Sequence, residues 1–321
     1  MLTHRRREVS VAIAIVTLAL VLAVATPGFF ARDNLSDLFL ANLPVLVVAL
    51  GMTLVILTGQ IDISVGSVFA VCSVAAGLLA KAGLPLPLVV VAACGVGAAL
   101  GAINGALVAA VRLPSIVVSL ATMVALRDGL RWVTGGAWIQ DLPVSFQWLG
   151  LSQSQYPILV VGAAILLQIG LGWSLRNLPA GRAVFVTGSN PNAGRLAGFH
   201  PNAVTFTVFA ILGGLTGLAA LLNSVRFNQI PSNTGLGLEL KVVAAVVVGG
   251  TAIGGGRGSV TGTLLGVILL GAIGPALTFL GVSVYWERAI QGGIILAAVA
   301  LDALHVSAVR HGPTLAEGRT S

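Results

Sequence analysis

The chain has 321 residues, 17 basic and 10 acidic, so only 8% carry charge, against about a quarter in ordinary soluble domains. With 57% hydrophobic residues and a mean hydropathy of +1.02, this composition excludes a soluble enzyme and requires lipid as solvent. The net charge of +7 does not indicate a nucleic-acid partner, because the basic residues are strewn between apolar runs, and Cys72 and Cys94 support neither a disulfide scaffold nor a metal site.

A helix needs about 20 mainly apolar residues to cross a hydrocarbon core about 30 Å thick. Runs near that length fall at 9–26, 39–58, 64–80, 86–111, 115–134, 157–174, 203–222, 238–254, 259–281 and 288–306. They predict an all-α, polytopic membrane helix bundle of about ten transmembrane helices, some of them broken. It forms a single transmembrane domain over residues 1–321, with a flexible tail at 307–321. The first run follows Arg5, Arg6 and Arg7 as in a signal peptide, but it is longer than the usual apolar region of about 7–15 residues and lacks an A-x-A site, so a retained span is expected. With the amino terminus inside, the inner loops hold Arg5, Arg6, Arg7, Arg112, Arg176, Arg182, Arg195, Arg257, Arg310 and Arg319. The densest basic clusters are thus inside, which predicts both termini on the cytoplasmic side.

Small residues at every fourth position form a helix groove into which a neighbouring backbone fits. Gly97, Gly101 and Gly105 make one ladder, Gly258, Gly262 and Gly266 a second, and Gly213 with Gly217 a shorter one. Their places in the fourth and ninth spans suggest a duplication of about five spans. Matching Gly66-Ser67-Val68 with Gly258-Ser259-Val260 gives a different register.

Neither Lys81 nor Lys241 follows a P-loop glycine pattern, so the chain holds no Walker A motif of its own. H-E-x-x-H and G-x-S-x-G are absent, and His4, His200, His305 and His311 are scattered. No catalytic residue, metal site or cofactor is expected, and an intramembrane enzyme lacks a nucleophile and base to nominate. Ion-coupled carriers place carboxylates or histidines at mid-membrane, where a charge costs ~2.5–3.5 kcal/mol or more. Asp62, Asp128, Glu239 and Asp302 all fit near span ends, which weakens that reading without removing it.

Three segments interrupt the apolar pattern. In residues 57–67, Gly59, Asp62, Ser64 and Ser67 break a helix. Asp62 and Ser64 suit a cap for the helix that follows, and a broken helix at membrane depth also suits a transport pathway. The inner loop 178–200 is the longest polar connection on its side. There Asn190 can cap a helix begun by Pro191 and ended near Gly198, a candidate docking element or an ordinary amphipathic connector. Residues 235–262 are dense in glycine and predict a tight hairpin.

These segments, in this order, resemble the permease subunits of bacterial ABC sugar importers of the ribose, xylose, arabinose, rhamnose and autoinducer-2 type, a branched-chain-permease-like family. The resemblance covers roughly residues 35–306. It rests on the segment 57–67, similar to T-G-G-I-D-L-S-V-G-S, on G-R-x-x-x-x-x-G-x-N at 181–190, and on Glu239-Leu240 with the glycine-rich turn. Gln60, Gly194 and Lys241 depart from the usual residues.

The resemblance implies a permease that translocates a monosaccharide or related small polyol across the bacterial inner membrane. Its implied partners are a second permease copy or a homologous permease, a separate ABC ATPase supplying two nucleotide-binding domains, a periplasmic sugar-binding protein and membrane lipid. It makes residues 181–200 the coupling surface, with Arg182, Gly188, Asn190, Asn192, Arg195 and Gly198 as candidate residues. Asp62, Ser64 and Ser67 are the candidates for the broken helix beside the pathway. The outer segment 135–143, with Trp138 and Asp141, looks closer to rhamnose-type and autoinducer-2-type permeases. The alternative is a stand-alone secondary carrier or facilitator for a small solute.

Overall fold

A computed structural model describes residues 2–294, 296 and 297. Its helices are α1 (Leu2–Ala25), α2 (Arg32–Leu57), α3 (Val65–Lys81), α4 (Leu86–Ala109), α5 (Ser115–Thr134) and α6 (Gln155–Asn177), then α7 (Pro179–Ser189), α8 (Pro191–Leu196), α9 (Pro201–Ser224), α10 (Leu238–Val248) and α11 (Val260–Phe279). Among the described residues the sole extended pairing is a bridge between Ile139 and Ile230. The expected polytopic helical bundle is the observed one. Helices α1, α2, α4, α6, α9 and α11 are long and apolar enough to cross a membrane. Residues 286–294 are helical, and the rest of the run expected at 288–306, like the tail 307–321, falls almost wholly outside the described residues.

Two sequence expectations are corrected. The run 238–254 is not a full span. Helix α10 has 11 residues, about 16 Å of helix, because Gly237 enters it with φ +84° and Gly250 leaves it with φ +94°. The stretch 178–200 is not a loop either. Pro179 starts the 11-residue helix α7, and Asn190 then separates it from α8. Apolar hydropathy sees neither feature, because α10 is short and α7 is too polar to look like a span.

The core is organised around α2, which is the most enclosed of the long helices. Leu50, Met52 and Ile56 are fully buried between α9 on one side and α10 and α11 on the other. A hydrogen bond of 2.7 Å between the Thr53 and Thr263 hydroxyls ties α2 to α11 inside this apolar layer. Helix α1 lies at the periphery against α11, with most of its surface left for lipid.

The glycine ladders do what their spacing implies. Helices α4 and α9 run antiparallel in backbone contact, and a methyl group at Gly97 would overlap the Gly213 carbonyl, at Gly101 that of Phe209, and at Gly217 that of Ala93. In the α10–α11 hairpin, Gly262 meets the Gly249 carbonyl and Gly266 meets that of Ala245. Backbone cannot rotate away as a side chain can, so Gly213→Val is expected to cost at least about 1–3 kcal/mol. Gly95, with open space around it, should accept alanine without loss. Thermal unfolding of the two variants in detergent checks the contrast.

Candidate translocation and coupling site

The chain leaves α2 at Leu57 and re-enters a helix at Val65, and the turn between them is built from short hydrogen bonds. Asp62 is 2% exposed. Its Oδ1 accepts from the Ser64 backbone N–H at 2.8 Å and the Ser64 hydroxyl at 2.6 Å, while Oδ2 accepts from Asn104 Nδ2 at 3.4 Å. Asn104, on α4, also donates to Ser64 Oγ at 2.9 Å and accepts from the Thr122 hydroxyl of α5 at 2.7 Å. Ser64 holds the position before α3, and its carbonyl accepts from the Ser67 and Val68 N–H groups, but neither its side chain nor that of Asp62 bonds the first turn, so the usual side-chain cap is absent. It joins the broken turn to α4 and α5.

Ser67 goes elsewhere, donating to the Met123 carbonyl of α5 at 2.8 Å, and the Ile61 N–H reaches Ser115 Oγ at 3.3 Å. Ser115, Ser119 and Thr122 thus form a polar stripe along α5 that faces the bundle, while Ile116, Val117, Leu120 and Val124 are exposed; Arg127, off that stripe, is also buried. The sequence reading passed over Asn104 and Thr122, and it counted Arg127 only among the basic residues of the outer loops and span ends. The signal at Asn104 and Thr122 was an isolated polar residue inside an apolar run, the pattern that marks buried polar contacts in membrane helices.

The second broken turn, 249–259 between α10 and α11, lies directly against the first. Leu57 ends α2 with a carbonyl that has no partner within the helix, and Gly256 N–H supplies one at 2.8 Å. Gly255 closes on Gly59, where an added Cβ would lie 2.6 Å from the Gly59 nitrogen. Gly188, near the end of α7, completes this junction: a side chain there would strike the Leu57 carbonyl and come within 2.6 Å of the Gly256 nitrogen. Four glycines from three chain segments therefore let two helix breaks and α7 meet backbone to backbone.

The other expected docking residues lie on the outer side of α7 and α8. Arg182, Asn190, Asn192, Arg195 and Gly198 are all exposed, and Leu196 at the tip of α8 is 92% exposed. Asn190 Oδ1 accepts from the Ala193 N–H at 3.0 Å, which is the anticipated cap, and Gly198 follows with φ +81°. Asn192 accepts from Arg195 at 3.0 Å. The three departures from the family pattern all fit locally. An alanine methyl at Gly194 would press only on the movable Val186 side chain, Lys241 lies 3.7 Å from the Glu287 carboxylate, and the Gln60 N–H bonds the Val55 carbonyl at 3.2 Å.

On the opposite face, residues 135–150 pair with the segment that follows α9. Ile139 and Ile230 exchange backbone hydrogen bonds of 3.0 and 2.8 Å, Trp148 N–H donates to Val225 at 2.7 Å, and Trp148 packs edge-on against Tyr156 at 5.3 Å. From there the chain descends beside α3, passing Gly77 at Ile230 and reaching Gly66 at Gly235, about 16 Å along the α3 axis. Irregular backbone at that depth persists only where protein or a water-filled cavity surrounds it.

A lipid-spanning bundle with two opposed helix breaks, an inward polar stripe and an exposed charged helix pair on one face is the architecture of a multi-pass membrane permease. The chain belongs to the family described as the branched-chain amino acid transport system permease component, which matches residues 34–299. Among curated proteins it is similar to the autoinducer 2 import system permease protein LsrC of Enterobacter sp. (strain 638), 33% identical over 98% of this chain and 92% of that one. It is also similar to LsrC of Escherichia coli (strain SMS-3-5 / SECEC), 36% identical over 89% of this chain and 85% of the other. LsrC of Yersinia pseudotuberculosis serotype O:1b (strain IP 31758) is 33% identical over 93% of this chain and 85% of its own. No solved structure gives a significant match.

Proposed function

We propose that this chain is the membrane-spanning subunit of an ATP-driven importer for autoinducer 2 or a closely related small polyhydroxylated solute. A separate ATPase powers it, a periplasmic binding protein feeds it, and a second permease subunit completes the pathway in the inner membrane. Residues 1–321 act as one permease domain with both termini cytoplasmic. The observation that carries this reading is the α7–α8 pair. It presents Arg182, Arg195 and Leu196 outward while Gly188 seats α7 on both helix breaks, so a partner gripping that surface is mechanically joined to the membrane core. The sequence has no P-loop, so such a partner has to bring the nucleotide site. The cargo follows from the relatives, which carry autoinducer 2 by name.

Replacing Arg182 and Arg195 together by Glu should lower recovery of the ATPase subunit in affinity purification by at least about tenfold, since rim charges steer association, while membrane insertion is unchanged. Equal recovery would remove these residues from the docking surface. In proteoliposomes, uptake should require both ATP and the ATPase. Uptake by this chain alone under an ion gradient would replace the importer with a secondary carrier.

A further inference from the structure

The connection from α5 to α6, residues 135–154, meets the connection from α9 to α10, residues 225–237, at the outer end of the bundle. Besides the Ile139–Ile230 exchange and the Trp148 bond, Leu142 N–H donates to the Asn228 carbonyl at 3.2 Å and the Ser232 hydroxyl to the Gly136 carbonyl at 2.9 Å. Three apolar side chains, Ile139, Leu142 and Ile230, converge from the two connections on Gly77 of α3. An added Cβ there would lie 2.7 Å from Ile230 Cδ1 and 3.4 Å from both Ile139 Cγ2 and Leu142 Cδ2. Gly77 is four residues, about 6 Å, from the outer end of α3, yet Ile230 is only 2% exposed. Below this apolar cover the chain occupies the seam between α3 and α5: the Thr234 carbonyl accepts from Arg127 at 3.4 Å, and Gly235 lies against Gly66 and Phe69.

The cover is also strained. Among the described residues, four that are not glycine take positive φ, and three of them, Asp141 at +55°, Trp148 at +54° and Leu149 at +59°, lie in the first connection. That conformation is unfavourable for bulky side chains and persists only where the surroundings impose it. At Trp148 the imposing contact is the N–H bond to Val225, a residue of the second connection. Parting the two connections breaks few hydrogen bonds and frees Trp148 and Leu149 to relax, so the shut arrangement opposes itself.

We infer that Ile139, Leu142 and Ile230 form an outer seal on the translocation pathway, and that the two connections part there in each transport cycle. This inference rests on the importer reading above. While they are paired, a polyhydroxylated solute meets an apolar cover that offers its hydroxyls no partner, and the seam behind it is filled by residues 230–235. Separation removes both obstacles together, because Ile230 belongs to the cover and also begins the descending segment.

The test uses the complete importer in proteoliposomes, with its ATPase and binding protein and with autoinducer 2 as the probe solute. Ile139 and Ile230 exchange both backbone hydrogen bonds, so their Cα atoms stand about 5.5 Å apart, within disulfide reach. In the variant carrying Ile139→Cys and Ile230→Cys, oxidation should lower uptake at least about tenfold relative to the same protein reduced, because a bond across the seal blocks an obligatory step. Reductant should restore it. The single variant Ile230→Cys should react with a membrane-impermeant maleimide at least about tenfold faster during turnover with ATP and loaded binding protein than without them, since a side chain buried at rest is reached only when the seal parts. The wild-type chain, with Cys72 and Cys94, gives the labelling background, and the labelling alone decides if the cysteine pair does not cross-link. A pairing with a purely structural role would move neither readout. Cross-linked protein that takes up solute at its reduced rate, or labelling that turnover leaves unchanged, overturns the seal, while ATP-driven uptake by the wild-type complex keeps the importer reading standing. If the wild-type complex moves no autoinducer 2 with ATP, the importer reading fails, and the seal with it.

Discussion

Asp62→Ala is expected to destabilise the permease by about 2–5 kcal/mol, seen as a lower melting temperature in detergent and a loss of transport. The reason lies in what is left behind. The substitution strands the Ser64 N–H, the Ser64 hydroxyl and one Asn104 donor in a buried site, and unsatisfied groups of this kind cost about 1–3 kcal/mol each. Asp62→Asn should lie between alanine and wild type, because its carbonyl still accepts from Ser64 while its amide meets the Asn104 amide. Asp62→Ala combined with Asn104→Ala should cost less than the sum of the two, since both remove the same network. Additive effects would mean that the two side chains act separately and that Asp62 does not bind the turn to α4 and α5.

How much of this was legible from residues alone differs between features. Glycine spacing on α4, α9 and α11 told of backbone contact because small residues at every fourth position share one face whatever the partner is. The break near Asp62 was visible too, since glycine and hydroxyls interrupt an apolar run. The partners of Asp62 were not. Asn104 and Thr122 lie on two other helices, and nothing in one strand of sequence records that α4 and α5 converge on the turn. Helix α10 was misjudged because residues 249–254 carry no charge to end the apolar run, while their glycines impose a turn. Nor could spacing reveal that the turns at Gly59 and at Gly255 meet, although each is glycine-rich for that contact.

The docking residues show how one motif can gather different physical demands. Gly188 and Gly198 were both candidates for the coupling surface, but Gly198 has open space around it and is required only for its φ of +81°. Gly198→Ala should therefore cost no more than about 1 kcal/mol through backbone strain. Gly188 has ordinary helical backbone, and its constraint is steric, set by the Leu57 carbonyl and the Gly256 nitrogen.

Gly188→Val is accordingly expected to abolish transport, by at least about tenfold, while the ATPase subunit still co-purifies. The branched side chain drives α7 away from the junction, but it leaves Arg182, Asn192, Arg195 and Leu196 exposed as before. The Leu57–Gly256 hydrogen bond of 2.8 Å then loses its cover, and the two helix breaks are no longer held to the element that the ATPase grips. Binding without transport is the signature of a severed linkage, and it differs from the Arg182 and Arg195 charge reversal, which should lose binding first. ATP hydrolysis in the assembled Gly188→Val complex should persist without solute movement. If that variant transports at the wild-type rate, α7 does not relay motion through this junction, and the route from the exposed helix pair to the membrane core has to run through its contacts with α6 and α9 instead.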